Sequence, residues 1–148
     1  MKIYIDQSSK IEYTSKNSVV AFSNHHNGSV FLKSKDKRSL EKIFREINKP
    51  KQFIYQVFSA MICVLILPEI GHLSQIIIDT EYVGQENLIK NYVTQMLRKK
   101  GIFFDKNIVS FHQVGRKAIC HQIAIDTYNH KIKPTKILSL KEILKYII

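Results

Sequence analysis

The chain has 148 residues, enough for one domain with its own apolar core, and 45% of them are hydrophobic, which excludes a disordered basic tail. Its 23 Lys and Arg outnumber its 12 Asp and Glu, giving a formal charge of +11. A folded chain this basic suits a polyanion, with nucleic acid as the first expectation; an anionic membrane surface or merely a Lys-rich solvated face would also account for the charge.

The N-terminal segment predicts a strand over 2–6, with Ile3 and Ile5 on one face and Asp6 at its end. Gln7-Ser8-Ser9 reads as a turn, and 11–13 as a continued or restarted strand. Residues 18–23 give a second strand. Residues 24–28 give a polar turn in which Asn27-Gly28 is the hairpin signal, and 29–34 give a third strand. The opening is an antiparallel meander. The charge run 35–38 reads as a loop, followed by a helix capped by Ser39 over 40–47, with Leu40, Ile43, Phe44 and Ile47 on one face. Pro50 breaks the pattern. Residues 52–67 form a more buried helix closed by Pro68 and Gly71. Its most apolar stretch, 60–67, is too short to span a bilayer.

Residues 76–79 read as a fourth strand ending in Asp79-Thr80-Glu81, and 84–100 as a helix with a basic end and a stop at Gly101. A fifth strand follows over 108–111, then a helix from 118 to about 128. A basic turn over 129–133 and a short helix over 139–147 close the chain, so that 134–148 is a C-terminal helical extension of a single domain, 1–148. Cys63 and Cys120 both lie in apolar helical patterns and suit a reducing compartment; nothing requires them to pair, and no C-x-x-C zinc spacing exists. The first residues are too short in apolar content for a signal peptide, so a cytoplasmic location is expected.

Acids at strand ends stand at a sheet edge, where open α/β sheets usually bind ligands. Asp6 and Asp79 both stand at such ends. With Asp126, or His121 before it, on the late helix, this order of three strands, helices, strand, helix, strand and helix resembles the ribonuclease H-like superfamily, which includes ribonucleases H, Holliday-junction resolvases and integrases. The resemblance covers residues 1–128 and rests on element order and acid placement. It implies an α/β fold with a mixed five-stranded sheet, an antiparallel meander followed by parallel strands, and flanking helices. It also implies a Mg²⁺- or Mn²⁺-dependent nuclease that hydrolyses phosphodiester bonds of DNA or RNA. Asp6, Asp79 and Asp126 match the family's acids, with His121 and Glu81 as further catalytic candidates.

The family commonly carries another acid on its first long helix, and 52–67 has none. Glu41 and Glu46 precede it and Glu69 follows it; Glu46 is a metal-ligand candidate, and Glu81 a substitute third carboxylate. Hard divalent cations prefer oxygen ligands, and two such ions about 4 Å apart can activate water and stabilise a leaving oxygen. Other roles stay open: Asp6 as a turn acceptor for the Ser8 or Ser9 amide, Asp79 and Glu81 as solvated turn residues, and Asp126 as a helix-surface residue. His121 can serve as general base, metal ligand, phosphate contact or plain helix residue. His112 lies near the expected edge, whereas His25 and His26 fall in the hairpin turn.

Arg116 and Lys117 open the late helix against its dipole, which an anion at Gly115 would explain. Lys35, Lys37, Arg38, Arg98, Lys99, Lys100, Lys131 and Lys133 are further phosphate-contact candidates. No aromatic motif of the kind that stacks single-stranded bases stands out. A basic binding module without catalysis is the alternative function, and a scaffold with an incidental Lys-rich surface a third. A homodimer would suit an enzyme that cuts two strands.

Overall fold

The structure is a computed structural model that describes residues 1–116 and 118–148. Strands β1 (Lys2–Ser8), β2 (Ser18–Ser23) and β3 (Asn27–Leu32) form the antiparallel meander. Helix α1 (Ser34–Glu46) and helix α2 (Phe53–Ile66) follow, with a 3₁₀ turn before α2 and another after it. Strand β4 (Gln75–Asp79), helix α3 (Glu86–Lys99), strand β5 (Val109–His112) and helix α4 (Ile119–Tyr128) come next. Strand β6 (Lys136–Leu138) and helix α5 (Leu140–Leu144) end the chain.

The six strands lie in the order β5-β4-β1-β2-β3-β6, with β4 parallel to β1, β5 parallel to β4, and β6 parallel to β3. The period of two along β1 sends Ile3 and Ile5 to one face and Tyr4 and Asp6 to the other. The first face is the main core. There Ile3, Ile5, Val20, Phe22, Ile76 and Ile78 pack with side chains of α1, α2, α3 and α5. On the second face α4 covers only part of the sheet, setting Ile123 and Ala124 against Val19, Ala21 and Phe31. Because β1, β4 and β5 are parallel, their C-terminal ends share one edge, and the loops after them meet there.

Several local expectations change. The hairpin turns at Asn24–His26, closed by the Asn24 N–H donating to the His26 carbonyl at 2.9 Å, and Gly28 lies within β3. A Cβ on Gly28 would stand 2.5 Å from the Phe22 ring, so close packing of the neighbouring strand accounts for this glycine. The charge run at 35–38 is not a loop but the first turn of α1, which leaves Ser39 inside the helix donating to the Lys35 carbonyl. The sheet has six strands rather than five, and the C-terminal residues supply both a strand and a helix. β6 is three residues long with two of them exposed, too short to show a period. The apolar stretch Pro50–His72 has the length and composition of a membrane span, yet it is mostly buried inside this fold. Cys63 and Cys120 are both free and buried.

Lys37 shows why α1 starts early. Its side chain is fully buried, and Nζ donates to the carbonyls of Lys10, Tyr13 and Lys16 and to Ser18 Oγ, at 2.7–3.2 Å. The ammonium ties down the loop between β1 and β2 in the way a bound cation would. Burial pulls its pKa down to about 8, with the charge of Glu12 opposing. Lys37 is therefore an internal fastener and is not free to meet a phosphate. The Lys10 and Tyr13 carbonyls also accept the Tyr13 and Lys16 N–H groups, but Lys37→Met takes the ammonium from the Lys16 carbonyl and Ser18 Oγ and is expected to cost about 2–3 kcal/mol of unfolding free energy in urea titrations.

Candidate metal centre

Strand β1 runs two residues past the expected end at Asp6, which is 4% exposed and lies one residue beyond the last β1 pair with β4, while Asp79 is the last residue of that adjacent parallel strand. Ile5 is in register with Ile78, so the strand pairing itself brings these two ends together. Glu81 follows two residues later and is half-buried. Its position is set by its neighbour. Tyr82 is buried edge-on against Tyr55 and Phe58 of α2, and its hydroxyl accepts the Ile11 N–H at 3.2 Å and meets Gln7 and Glu12. Lys10 Nζ donates to the Glu81 carbonyl at 3.3 Å. The loop that Lys37 fastens thus reaches the site through Lys10, Ile11 and Glu12.

Carboxylate oxygens of Asp6, Asp79 and Glu81 lie within 4.8 Å of one another. Each aspartate is oriented by the protein. The Gln7 N–H donates to Asp6 Oδ1 at 2.7 Å, and the Val114 N–H donates to Asp79 Oδ1 at 2.8 Å. His121, in the first turn of α4, brings Nδ1 to 2.7 Å from Asp6 Oδ2. An ionised Asp6 is an acceptor only, so it selects the ring form with hydrogen on Nδ1 and leaves Nε2 for another partner.

The three acids line a hollow of about 260 Å³ together with Thr80, Gly115, Arg116 and His121. Gly115 has φ of 86°, a conformation that costs other residues energy, and it turns the chain from β5 back over the acids toward α4. The electrostatics of the cluster are strained. Burial, then the hydrogen bond and charge of Asp79 and the charge of Asp6, push the Glu81 carboxyl up to about 8, with Lys10 opposing. Burial also raises Asp6, against the Gln7 amide and His121, which lower it. Without a cation, the neighbouring charges favour the protonated form of Glu81. Three hard oxygen donors that crowd one another, each with lone pairs to spare, fit a divalent cation.

The remaining candidates fall elsewhere. Asp126 is five residues beyond His121, about 7.5 Å along α4 and about 140° around it, where it accepts from Gln122 Nε2 at 2.9 Å. It stands outside the acid cluster, and His121 supplies the late-helix side chain instead. Glu46 is exposed at the end of α1, also outside the cluster, and Glu69 pairs with His26 at 2.8 Å. His112 is exposed at the end of β5, where its carbonyl accepts the Thr80 N–H at 3.0 Å.

Among the basic candidates, Arg116 lines the hollow, while Lys117 lies outside the described residues. Arg38 is exposed and donates to the Thr14 carbonyl at 3.1 Å. Arg98, Lys99 and Lys100 end α3, which starts near the acid edge and runs about 20 Å back toward the opposite edge. There Lys99 donates to the Ile147 carbonyl at 3.0 Å and Lys100 sits 4.1 Å from the centre of the Tyr146 ring. Lys131 and Lys133 are exposed in the turn after α4. Sequence reasoning passed over Tyr82 and Gln7, whose roles depend on contacts between distant segments; a bulky aromatic directly after an acidic strand end was the available signal for Tyr82. No protein-family model, curated protein or solved structure matches this chain.

The Glu81 shift sets a pH dependence. Its folded pKa lies above the ordinary glutamate value, so its stabilising protonated form is complete below about pH 4.5 and is lost as pH rises through about 8. In chelator, Glu81→Gln is expected to melt roughly 3–6 °C above wild type at pH 8.5 and level with it near pH 4.5, as read by calorimetry. Added Mn²⁺ should raise the melting temperature of the wild type more at pH 8.5 than at pH 6, because protons then compete less for the carboxylates.

Proposed function

We propose that this chain is a metal-dependent nuclease of the ribonuclease H-like type, acting on phosphodiester bonds of DNA or RNA. The observation that carries the reading is the convergence of Asp6, Asp79 and Glu81 on one open hollow, at the C-terminal edge of adjacent parallel strands, in a chain of charge +11. The antiparallel meander followed by parallel β4 and β5 supports the family reading, as does the late helix that brings His121 to Asp6. The third carboxylate comes from Glu81, two residues past β4, in place of an acid on α2.

Asp6, Asp79 and Glu81 would hold Mg²⁺ or Mn²⁺. When bound there, such a cation supplies charge neutralisation for a phosphodiester and lowers the pKa of a water at the site. The chain's own residues do the rest. The Gln7 and Val114 amides keep the two aspartates oriented, and Tyr82 keeps Glu81 beside them. Arg116 offers its guanidinium to a phosphate at the rim. His121, oriented through Nδ1 by Asp6, presents Nε2 as a group that can take up or return a proton.

The absence of a carboxylate on α2 favours a second reading, a nucleic-acid-binding module that does not cut. A cleavage panel of labelled single strands, duplexes, an RNA–DNA hybrid and a four-way junction, run with Mg²⁺, Mn²⁺ or chelator, separates the two. The nuclease predicts metal-dependent cutting that falls at least about 100-fold in Asp79→Asn and in Asp6→Asn. Salt-sensitive binding with no cutting under either metal would establish the module instead.

A further inference from the structure

Tyr4 stands two residues before Asp6 on the same face of β1, about 6.8 Å away along the strand. A second hollow of about 480 Å³ opens there, lined by Tyr4, Ser23, Asn24, Val114, Ala118 and Ile119. The two hollows have no lining residue in common, but residues 113–115 alternate between them. Val114 lies between Gln113 and Gly115 of the acid hollow, and its N–H is the donor to Asp79. Ile119 is in the same turn of α4 as His121. Farther along this face the apolar side chains of β2 and β3 lie under α4, whereas Tyr4 is 37% and Ile119 65% exposed. An aromatic ring and an aliphatic side chain are therefore left uncovered directly beside the acids.

We propose that this second hollow seats an unpaired nucleobase, that of a nucleotide next to the phosphate held at the acids. The inference rests on the nucleic-acid reading of the acid site and deepens it, since it makes the substrate a single strand or a locally unpaired one. The chemistry of the walls matches a base. Tyr4 offers a ring to stack on, and Ile119 offers methyl groups for packing, the aromatic and apolar surroundings in which splayed bases are held. Asn24 donates its amide N–H to the Lys2 carbonyl, which leaves its side-chain oxygen to accept from a base edge. Lys2 Nζ, 5.2 Å from the centre of the Tyr4 ring, adds positive charge for the strand's phosphates. The volume lies in the range of small-molecule sites. A base within a duplex has both faces stacked and its pairing edge occupied, leaving only its groove edges, so it has no face to lay on Tyr4.

The test is an anisotropy titration in low-salt buffer with chelator, so that no strand is cut. The probes are a short labelled single strand of mixed sequence, its duplex, and a strand of the same length made only of abasic sugar-phosphates. The proteins are wild type, Tyr4→Phe, Tyr4→Leu and Ile119→Ser. The single strand is expected to bind about tenfold tighter than the duplex or the abasic strand. Tyr4→Leu should lose about tenfold on the single strand alone, Tyr4→Phe should stay within about twofold, and Ile119→Ser should lose about threefold. Ile119→Ser changes an exposed position and keeps the test open if Tyr4→Leu does not fold.

Equal binding of the abasic strand, preference for duplex, no binding of any strand, or wild-type affinity in folded Tyr4→Leu would overturn the proposal. The comparisons are made within one buffer, so they do not depend on whether a cation binds. Base-dependent binding without cleavage in any metal keeps the base site and retires the nuclease. Cleavage with unchanged single-strand binding in Tyr4→Leu does the reverse.

Discussion

Three carboxylates with oxygens within 4.8 Å of one another repel, and a folded chain must contribute the energy that keeps them together. Here that energy comes from features that have no other reason to coincide. The parallel pairing of β1 with β4 brings two strand ends side by side. Backbone amides of Gln7 and Val114 hold Asp6 and Asp79, and the buried ring of Tyr82 fixes the residue after Glu81 against α2. A site with so much fixed negative charge has a reason to exist if something positive visits it. The acids stand in a chain whose Lys and Arg exceed its Asp and Glu by 11.

The positive charge of the chain divides into two uses. Lys37 is spent inside the fold, where its ammonium gathers three carbonyls and a hydroxyl and gives the loop between β1 and β2 its shape. That loop then reaches the acids through Lys10 and supports Tyr82 through Ile11. Lys99 and Lys100 tie the end of α3 to the C-terminal residues. Among the described residues, Arg116 is the basic side chain that lines the acid hollow. Among the described residues Lys37 is the one buried cation, a charge that no polyanion reaches.

Much of the scaffold was legible because its signals are local. The β-branched runs of β2 and β4, the apolar face of α3, and the acids at two strand ends all appear within windows of a few residues. Asp6 and Asp79 were brought together by the resemblance that element order and acid placement carry, and the parallel pairing of β1 with β4 sets them side by side. The misread elements lacked such a window. β6 has three residues, and the start of α1 carries a charge run whose central lysine turns inward. The Asn27-Gly28 signal belongs to a strand because Gly28 makes room for Phe22 rather than for a turn.

The choice among late-helix residues shows the limit most plainly. His121 and Asp126 both lie on α4, and sequence spacing does not say which faces Asp6; the rotation of α4 about its axis, set by Ile123 and Ala124 packing on β2 and β3, turns His121 to the acids and Asp126 away. The same packing leaves Tyr4 and Ile119 uncovered, which no aromatic motif announced. By itself the sequence determined the mixed α/β order, the excess of positive charge, and two acids at strand ends, because strand period and charge are properties of the residues themselves. Only the tertiary structure decided that Glu81 completes the cluster, that His121 orients Asp6, and that Lys37 lies inside, because burial and proximity arise from the packing of segments far apart in the chain.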